Sequence, residues 1–175
     1  ENTSKLYEIL PNYLYRNNVD VIWRTTNWGE PPIHIKNYLN RHDIEKKYEG
    51  ERSNYDEILL SGLKEQILAS KNNKILIVLH TTTSHGPTYS KKYPPQFEKF
   101  KPVCNSVELG KCTAEELINA YDNTIVYTDY ILSNLIESLK QLDEYKSTML
   151  YVSDHGESLG ENNLYMHGRP VSIAP

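Results

Sequence analysis

The sequence has no long apolar run. The longest, Ile75 to Leu79, is strand length, far short of the roughly 20 residues that cross a bilayer. No secretory signal opens the chain, because Glu1-Asn2-Thr3-Ser4 is polar. If the protein works at a membrane, its anchor lies outside these residues. Excess positive charge is also lacking: 19 Lys and Arg stand against 23 Asp and Glu, a net charge of −4. That balance argues against a nucleic-acid partner, which calls for a basic patch or a high pI. No phosphate-binding loop of the G-x-x-x-x-G-K type appears. The nearest candidate has Gly156 and Gly160 one residue too close, with Glu161 where a Lys is needed. There is no internal repeat and no low-complexity tract. Phenylalanine is scarce, with 2 residues against 14 tyrosines. With Asn and Lys frequent, we read that bias as base composition of the gene rather than as function.

What remains is an ordinary globular composition, 38% hydrophobic and 24% charged. A length of 175 residues suits one domain or most of one. Cysteine is limited to Cys104 and Cys112. The segment between them is polar, contains a Gly and reads as a surface loop. With no other Cys and no nearby His, the pair is a poor zinc site. Spacing alone leaves two readings open: a disulfide formed in an oxidising compartment, or two buried thiols in a reducing one.

Strand and helix signals alternate. Leu10 to Asn18 reads as a short helix with Pro11 near its start, where a missing N–H costs least. Val19 to Trp23 is a strand by its β-branched content, and Trp23 to Pro32 is a loop. Residues 33–54 are polar and carry no clear period. Asp56 to Ser70 has helical spacing in Leu59, Leu60, Leu63, Ile67 and Leu68. Lys74 to His80 reads as a strand buried on both faces. Tyr89 to Lys111, rich in Lys, Pro and Tyr, reads as a surface excursion too polar for core. Thr113 with Glu116 forms a capping-box signature. The helix it opens runs to about Leu139 or Leu142, with Leu117, Tyr121, Ile125, Thr128, Leu132, Leu135 and Leu139 on one face. Ser147 to Ser153 is the last expected strand. This alternation predicts an α/β fold with a mostly parallel sheet, in which ligands bind beyond the carboxyl ends of the strands.

Two expected strands end in His-bearing loops there. One is His80-Thr-Thr-Thr-Ser-His85-Gly86-Pro87; the other is Asp154-His155-Gly156-Glu157. Asp and His are both good zinc ligands. Neighbours on a strand point to opposite faces, so both reach one metal only if the backbone leaves strand geometry between them. A solvated acidic loop is the plain alternative. Tyr165-Met166-His167-Gly168 adds a third His beside a Gly, where backbone crowding is low. Together the loops suggest a metal-assisted phosphoryl or sulfuryl site. His80, at the end of its strand, reads as a hydrogen-bonding residue of that site. Thr81, Thr82, Thr83 and Ser84 could supply a nucleophile, but turn chemistry is the preferred account of a Ser/Thr-rich strand end.

Several segments resemble one family. Leu150 to Asn162, then Tyr165-Met166-His167-Gly168, closely resembles the zinc motif of the phosphoethanolamine transferases, the lipid A modifying and colistin-resistance enzymes. Ser84-His85-Gly86-Pro87, Pro102-Val103-Cys104 with Lys111-Cys112, and Leu117 to Asn123 resemble other motifs of theirs, in the same order. Trp23-Arg24 through Asn27 resembles a substrate-side loop. The resemblance implies an alkaline phosphatase/sulfatase-like α/β sheet flanked by helices on both faces, present as a partial domain. Residues 1–175 would be part of one periplasmic catalytic domain, at the periplasmic face of the inner membrane and tethered by an N-terminal membrane region. It implies Zn2+ as cofactor, phosphatidylethanolamine as donor, and lipid A or another envelope molecule as acceptor. In the family a Thr attacks the phosphorus and carries phosphoethanolamine before a second transfer. That Thr and a Glu ligand lie upstream of the matched region, so no catalytic nucleophile is expected here and the isolated chain is expected to be inactive. Asp154 and His155 match zinc ligands. His85 and His167 match residues binding the phosphoethanolamine group or a second metal. Asn27 matches a substrate contact, although a Lys of some members is replaced around Pro31. Cys104 and Cys112 match a family disulfide. The competing expectations are a sulfatase- or phosphatase-like hydrolase of the same superfamily, and a periplasmic module that binds without catalysing.

Overall fold

The computed structural model describes residues 7–28, 30–48, 54–168 and 172. The chain divides into two compact units, Glu1–Thr81 and Thr82–Pro175.

The first unit is built on a parallel three-stranded sheet. Helix α1 (Leu10–Arg16) has Pro11 in its first turn and leads into β1 (Asp20–Thr25). Next come β2 (Asn37–Asn40), helix α2 (Arg41–Lys47), helix α3 (Leu63–Leu68) and β3 (Ile75–His80). The strand order is β2-β1-β3, with β1 central. Val21 and Ile22 of β1 are fully buried, and so are Ile44, Ile58 and Leu59, which pack as one cluster. Register places Thr25 opposite His80 on one side and Asn40 on the other. The carboxyl ends of all three strands therefore lie level.

Three expectations change here. The polar stretch 33–54 yields β2 and α2, while 49–53 lie outside the described residues. Asn40 explains the helix start: its side chain accepts from the Asp43 N–H, and Asp43 accepts from the Asn40 N–H. This is a capping box on a strand-to-helix junction. The helix expected over 56–70 is broken. A 3-10 turn covers Asp56–Leu60, and α3 begins only at Leu63. Gly62 between them takes φ +59, and a Cβ there would meet the Tyr48 ring at 2.0 Å. Only glycine fits that corner. Buried Arg24 locks the same corner, donating to the Leu59 and Ser61 carbonyls at 2.9 and 2.6 Å, to Gln66 Oε1 and to the Tyr48 hydroxyl. Burial lowers the Arg24 pKa from its usual value. Finally, β3 is half-buried along its length rather than buried on both faces.

The second unit is organised by α4 (Ala114–Lys140), whose Thr113–Glu116 capping box forms as the sequence predicts. Its buried face is Leu117, Ala120, Asn123, Thr124, Tyr127, Thr128 and Ile131. Ile125, expected on that face, is 44% exposed. The excursion over 89–111 is not merely superficial. It folds as short 3-10 turns, and Tyr89, Cys104 and Leu109 form a core cluster with Leu117 and Ala120. The polarity of the segment hid these anchors, because a buried Tyr keeps an apolar body and needs only one partner for its hydroxyl. Cys104 and Cys112 form a disulfide, which settles the two readings of their spacing. Two short strands, β4 (Ser158–Leu159) and β5 (Tyr165–Met166), pair antiparallel.

The strand expected over 147–153 does not form. Leu150, Tyr151 and Val152 are 87%, 55% and 74% exposed. β-Branched and aromatic residues favour a strand only where a neighbouring strand and a packed face receive them. Among the described residues nothing pairs with this segment.

Candidate functional site

In the second unit, three loops bring His85, His155 and His167 together. The ring centroids of His155 and His167 are 4.2 Å apart, those of His85 and His167 4.8 Å, and those of His85 and His155 6.3 Å. Each imidazole is held through Nδ1. In His85 this nitrogen faces the Gly86 carbonyl at 2.8 Å, and in His155 the Gly156 carbonyl at 2.9 Å. In His167 it faces Glu157 Oε1 at 3.0 Å. A carbonyl can only accept, so Nδ1 of His85 and His155 carries the hydrogen. When these rings are neutral, Nε2 is left as the ligating or accepting atom. This is the orienting contact that metal-binding imidazoles generally make.

Asp154 lies beside His155, with Oδ1 3.8 Å from His155 Nε2. The strand expected to lead into this pair does not form, and both residues sit in a bend. Asp154 is well exposed, and the His155 side chain is partly so. Imidazole nitrogen and carboxylate oxygen are the donor types zinc takes, and Asp154 and His155 supply one of each. A second grouping, His85, Glu157 and His167, has ligand atoms within 4.8 Å of one another.

Glu157 was not singled out from the sequence. Its side chain is only 5% exposed. Tyr89 donates its hydroxyl to Oε2 at 3.0 Å, while Oε1 faces His167. Burial, then the Glu157 charge, raises the Tyr89 pKa well above its usual value, so the phenol remains a donor. With its oxygens engaged, Glu157 serves better to orient His167 than to ligate. The available signal was its place in the Asp154 motif, where an acidic residue after a strand reads as solvated loop.

Asn27 belongs to the first unit. Its side chain lies 3.2 Å from Nε2 of His80, whose Nδ1 is 2.7 Å from Glu30. His80 thus makes its hydrogen bonds to Asn27 and Glu30, within the first unit. Of the possible nucleophiles, Thr82 and Thr83 are buried, and the Ser84 hydroxyl pairs with that of Thr124 at 3.0 Å.

The first unit holds a parallel sheet, and the second an Asp-His pair beside further imidazoles. The chain belongs to the sulfatase family, whose model matches residues 7–175, and its fold is the alkaline phosphatase/sulfatase-like α/β fold, present as a partial domain. Within that family it is similar to the phosphoethanolamine transferase EptA of Helicobacter pylori, 43% identical over 97% of this chain and 33% of that protein. It is also similar to the C-terminal periplasmic domain of the phosphoethanolamine transferase EptC from Campylobacter jejuni. That crystal structure matches with a TM-score of 0.81 and 44% identity, covering 93% of this chain and 50% of the other. The integral membrane protein lipooligosaccharide phosphoethanolamine transferase A of Neisseria meningitidis matches with a TM-score of 0.81 and 37% identity, over 93% of this chain and 30% of that one. The chain thus spans about a third of the length of the Helicobacter relative. Among the described residues, no helix is long and apolar enough to cross a membrane.

Proposed function

We propose that the protein containing this chain transfers phosphoethanolamine from phosphatidylethanolamine to a lipid A-type acceptor at the periplasmic face of the inner membrane. The observation that carries this reading is the convergence of His85, His155 and His167, each held through Nδ1, beside Asp154. The relatives' transferase names and periplasmic domains support it. Asp154 and His155 would hold zinc, with a Glu and the nucleophilic Thr supplied from outside the chain. The ion would supply charge neutralisation at a phosphoryl oxygen and a more acidic Thr hydroxyl. His85 and His167 would line the phosphoethanolamine group. Their Nε2 atoms donate to phosphate oxygens when protonated, or accept from the ammonium end when neutral. Glu157 keeps His167 in register, and Asn27 contacts the donor.

The test uses the full-length protein with a fluorescent phosphatidylethanolamine and lipid A, following both diacylglycerol release and labelled acceptor. Wild type should label lipid A, and Asp154→Ala should abolish labelling and lower the zinc content found by metal analysis. The isolated 175-residue chain should turn over nothing. Release of free phosphoethanolamine to water, with no labelled acceptor, would favour a hydrolase instead. Robust transfer by Asp154→Ala would overturn the assignment.

A further inference from the structure

The donor and acceptor roles around Asn27 can be deduced from hydrogen-bond chemistry. The backbone N–H of Trp28 lies 2.9 Å from one terminal atom of the Asn27 side chain. An N–H can only donate, so that atom is Oδ1. The other terminal atom is Nδ2, a donor only, and it faces His80 Nε2 at 3.2 Å. Nε2 must then present a lone pair, and the proton of the neutral ring sits on Nδ1. Nδ1 lies 2.7 Å from Glu30 Oε1, an acceptor whose side chain is 8% exposed. Every atom in the series Glu30–His80–Asn27–Trp28 has one consistent role.

We propose that Glu30 and His80 are positioning residues. They lock the Asn27 carboxamide with one Nδ2 hydrogen committed to His80 and the second offered to a phosphate oxygen of the donor lipid. This rests on the reading that Asn27 contacts the donor. The arrangement also explains how an acidic residue is accommodated three positions after a phosphate-contacting Asn. Glu30 turns its carboxylate to the His80 Nδ1–H, and the ring stands between it and the Asn27 amide. The register of the sheet makes this possible. Thr25 lies opposite His80, and the Thr26 N–H donates to the His80 carbonyl at 3.1 Å, so Asn27 arrives next to the imidazole. The Trp23 ring meets the imidazole edge to face, with centroids 6.5 Å apart and planes at 89°.

The experiment compares wild type, E30A, E30Q, N27A and the E30A/N27A double variant of the full-length protein. KM and kcat are measured for the fluorescent phosphatidylethanolamine, and 15N shifts of His80 are recorded in labelled protein. N27A and E30A should each raise KM about tenfold with little change in kcat, the pattern of lost binding common to ground and transition states. The double variant should be no worse than N27A, because residues in one hydrogen-bonded chain are not additive. E30Q, which keeps an oxygen acceptor for Nδ1–H, should recover most of the loss. The His80 shifts should report a protonated Nδ1 and a bare Nε2 in wild type and E30Q, and a mixture of tautomers in E30A. Additive KM effects in the double variant, or unchanged His80 shifts in E30A, would overturn the proposal. If wild type transferred nothing, the functional reading would fail on its own, and the shifts would still decide the relay.

Discussion

Tyr89 shows how one hydroxyl ties packing to the site. It is 1% exposed in the core cluster beneath α4, yet its oxygen reaches Glu157, which holds His167. Tyr89→Phe keeps the packing and removes the donor to a buried carboxylate oxygen. We expect about 1–3 kcal/mol lost in urea unfolding at neutral pH, the usual cost of an unsatisfied buried group. The alkaline side carries a sign. Burial first, and the Glu157 charge second, raise the folded pKa of Tyr89. Below the unfolded tyrosine value of about 10 this contribution to stability is complete, and it is lost as the pH rises from there toward the folded value. Wild type should therefore lose stability more steeply than Tyr89→Phe above pH ~10, and parallel profiles would refute the assignment. Asp154, His155, His85 and His167 were the legible part of this site, because they announce donor chemistry by type. Glu157 and Glu30 were not legible. Glu157 meets His167 across the β4–β5 pair, and Glu30 meets His80 at the end of β3, 50 residues on.

Helix α4 carries the excursion over 89–111 on two asparagines. Asn123 is fully buried. Its Oδ1 accepts from the Lys99 and Phe100 N–H groups at 2.8 and 2.9 Å, and its Nδ2 donates to the Phe100 carbonyl and the Tyr93 hydroxyl. Asn119 donates to the Pro102 carbonyl at 2.9 Å. These residues sit in the Leu117 to Asn123 motif, and their observed work is to clamp a loop. Thr113→Ala should cost about 1 kcal/mol, the usual value of an N-cap. Asn123→Ala should cost clearly more, because it removes four hydrogen bonds made by one fully buried side chain. Thermal unfolding of the two variants checks the order, and equal effects would argue against the clamp. Element by element, the sequence made α4, β1 and β3 legible through capping chemistry, helical period and β-branched content. It did not reveal the corner at Gly62, which depends on the position of the Tyr48 ring. Nor did it warn that Leu150 to Val152 would be unpaired, since strand propensity states a preference and pairing needs a partner.

At the scale of the whole chain, the cross-link closes a loop of sequence separation 8 in the unit that carries the imidazoles. A chain-entropy treatment gives about 2–3 kcal/mol for so short a loop. Replacing both Cys104 and Cys112 by Ser should lower stability by roughly that amount, read from urea midpoints with and without reductant. Reductant should shift wild type alone; a shift of equal size in the double variant would contradict a stabilising bond. The class of fold was legible early, from alternating strands and helices. The division into two units was not, because no composition break marks residue 81.

The His-Gly dipeptides at 85–86 and 155–156 have a consequence for how such a site can diversify. Each ring takes its orientation from the carbonyl of the very next residue, so the information that aims it is carried by two adjacent positions. A backbone acceptor survives any change of side chain. The loops around these pairs can therefore lengthen, shorten or change partners during evolution without resetting the direction of the imidazole. Such dipeptides act as portable modules, and chemistry can be retained while specificity drifts around it.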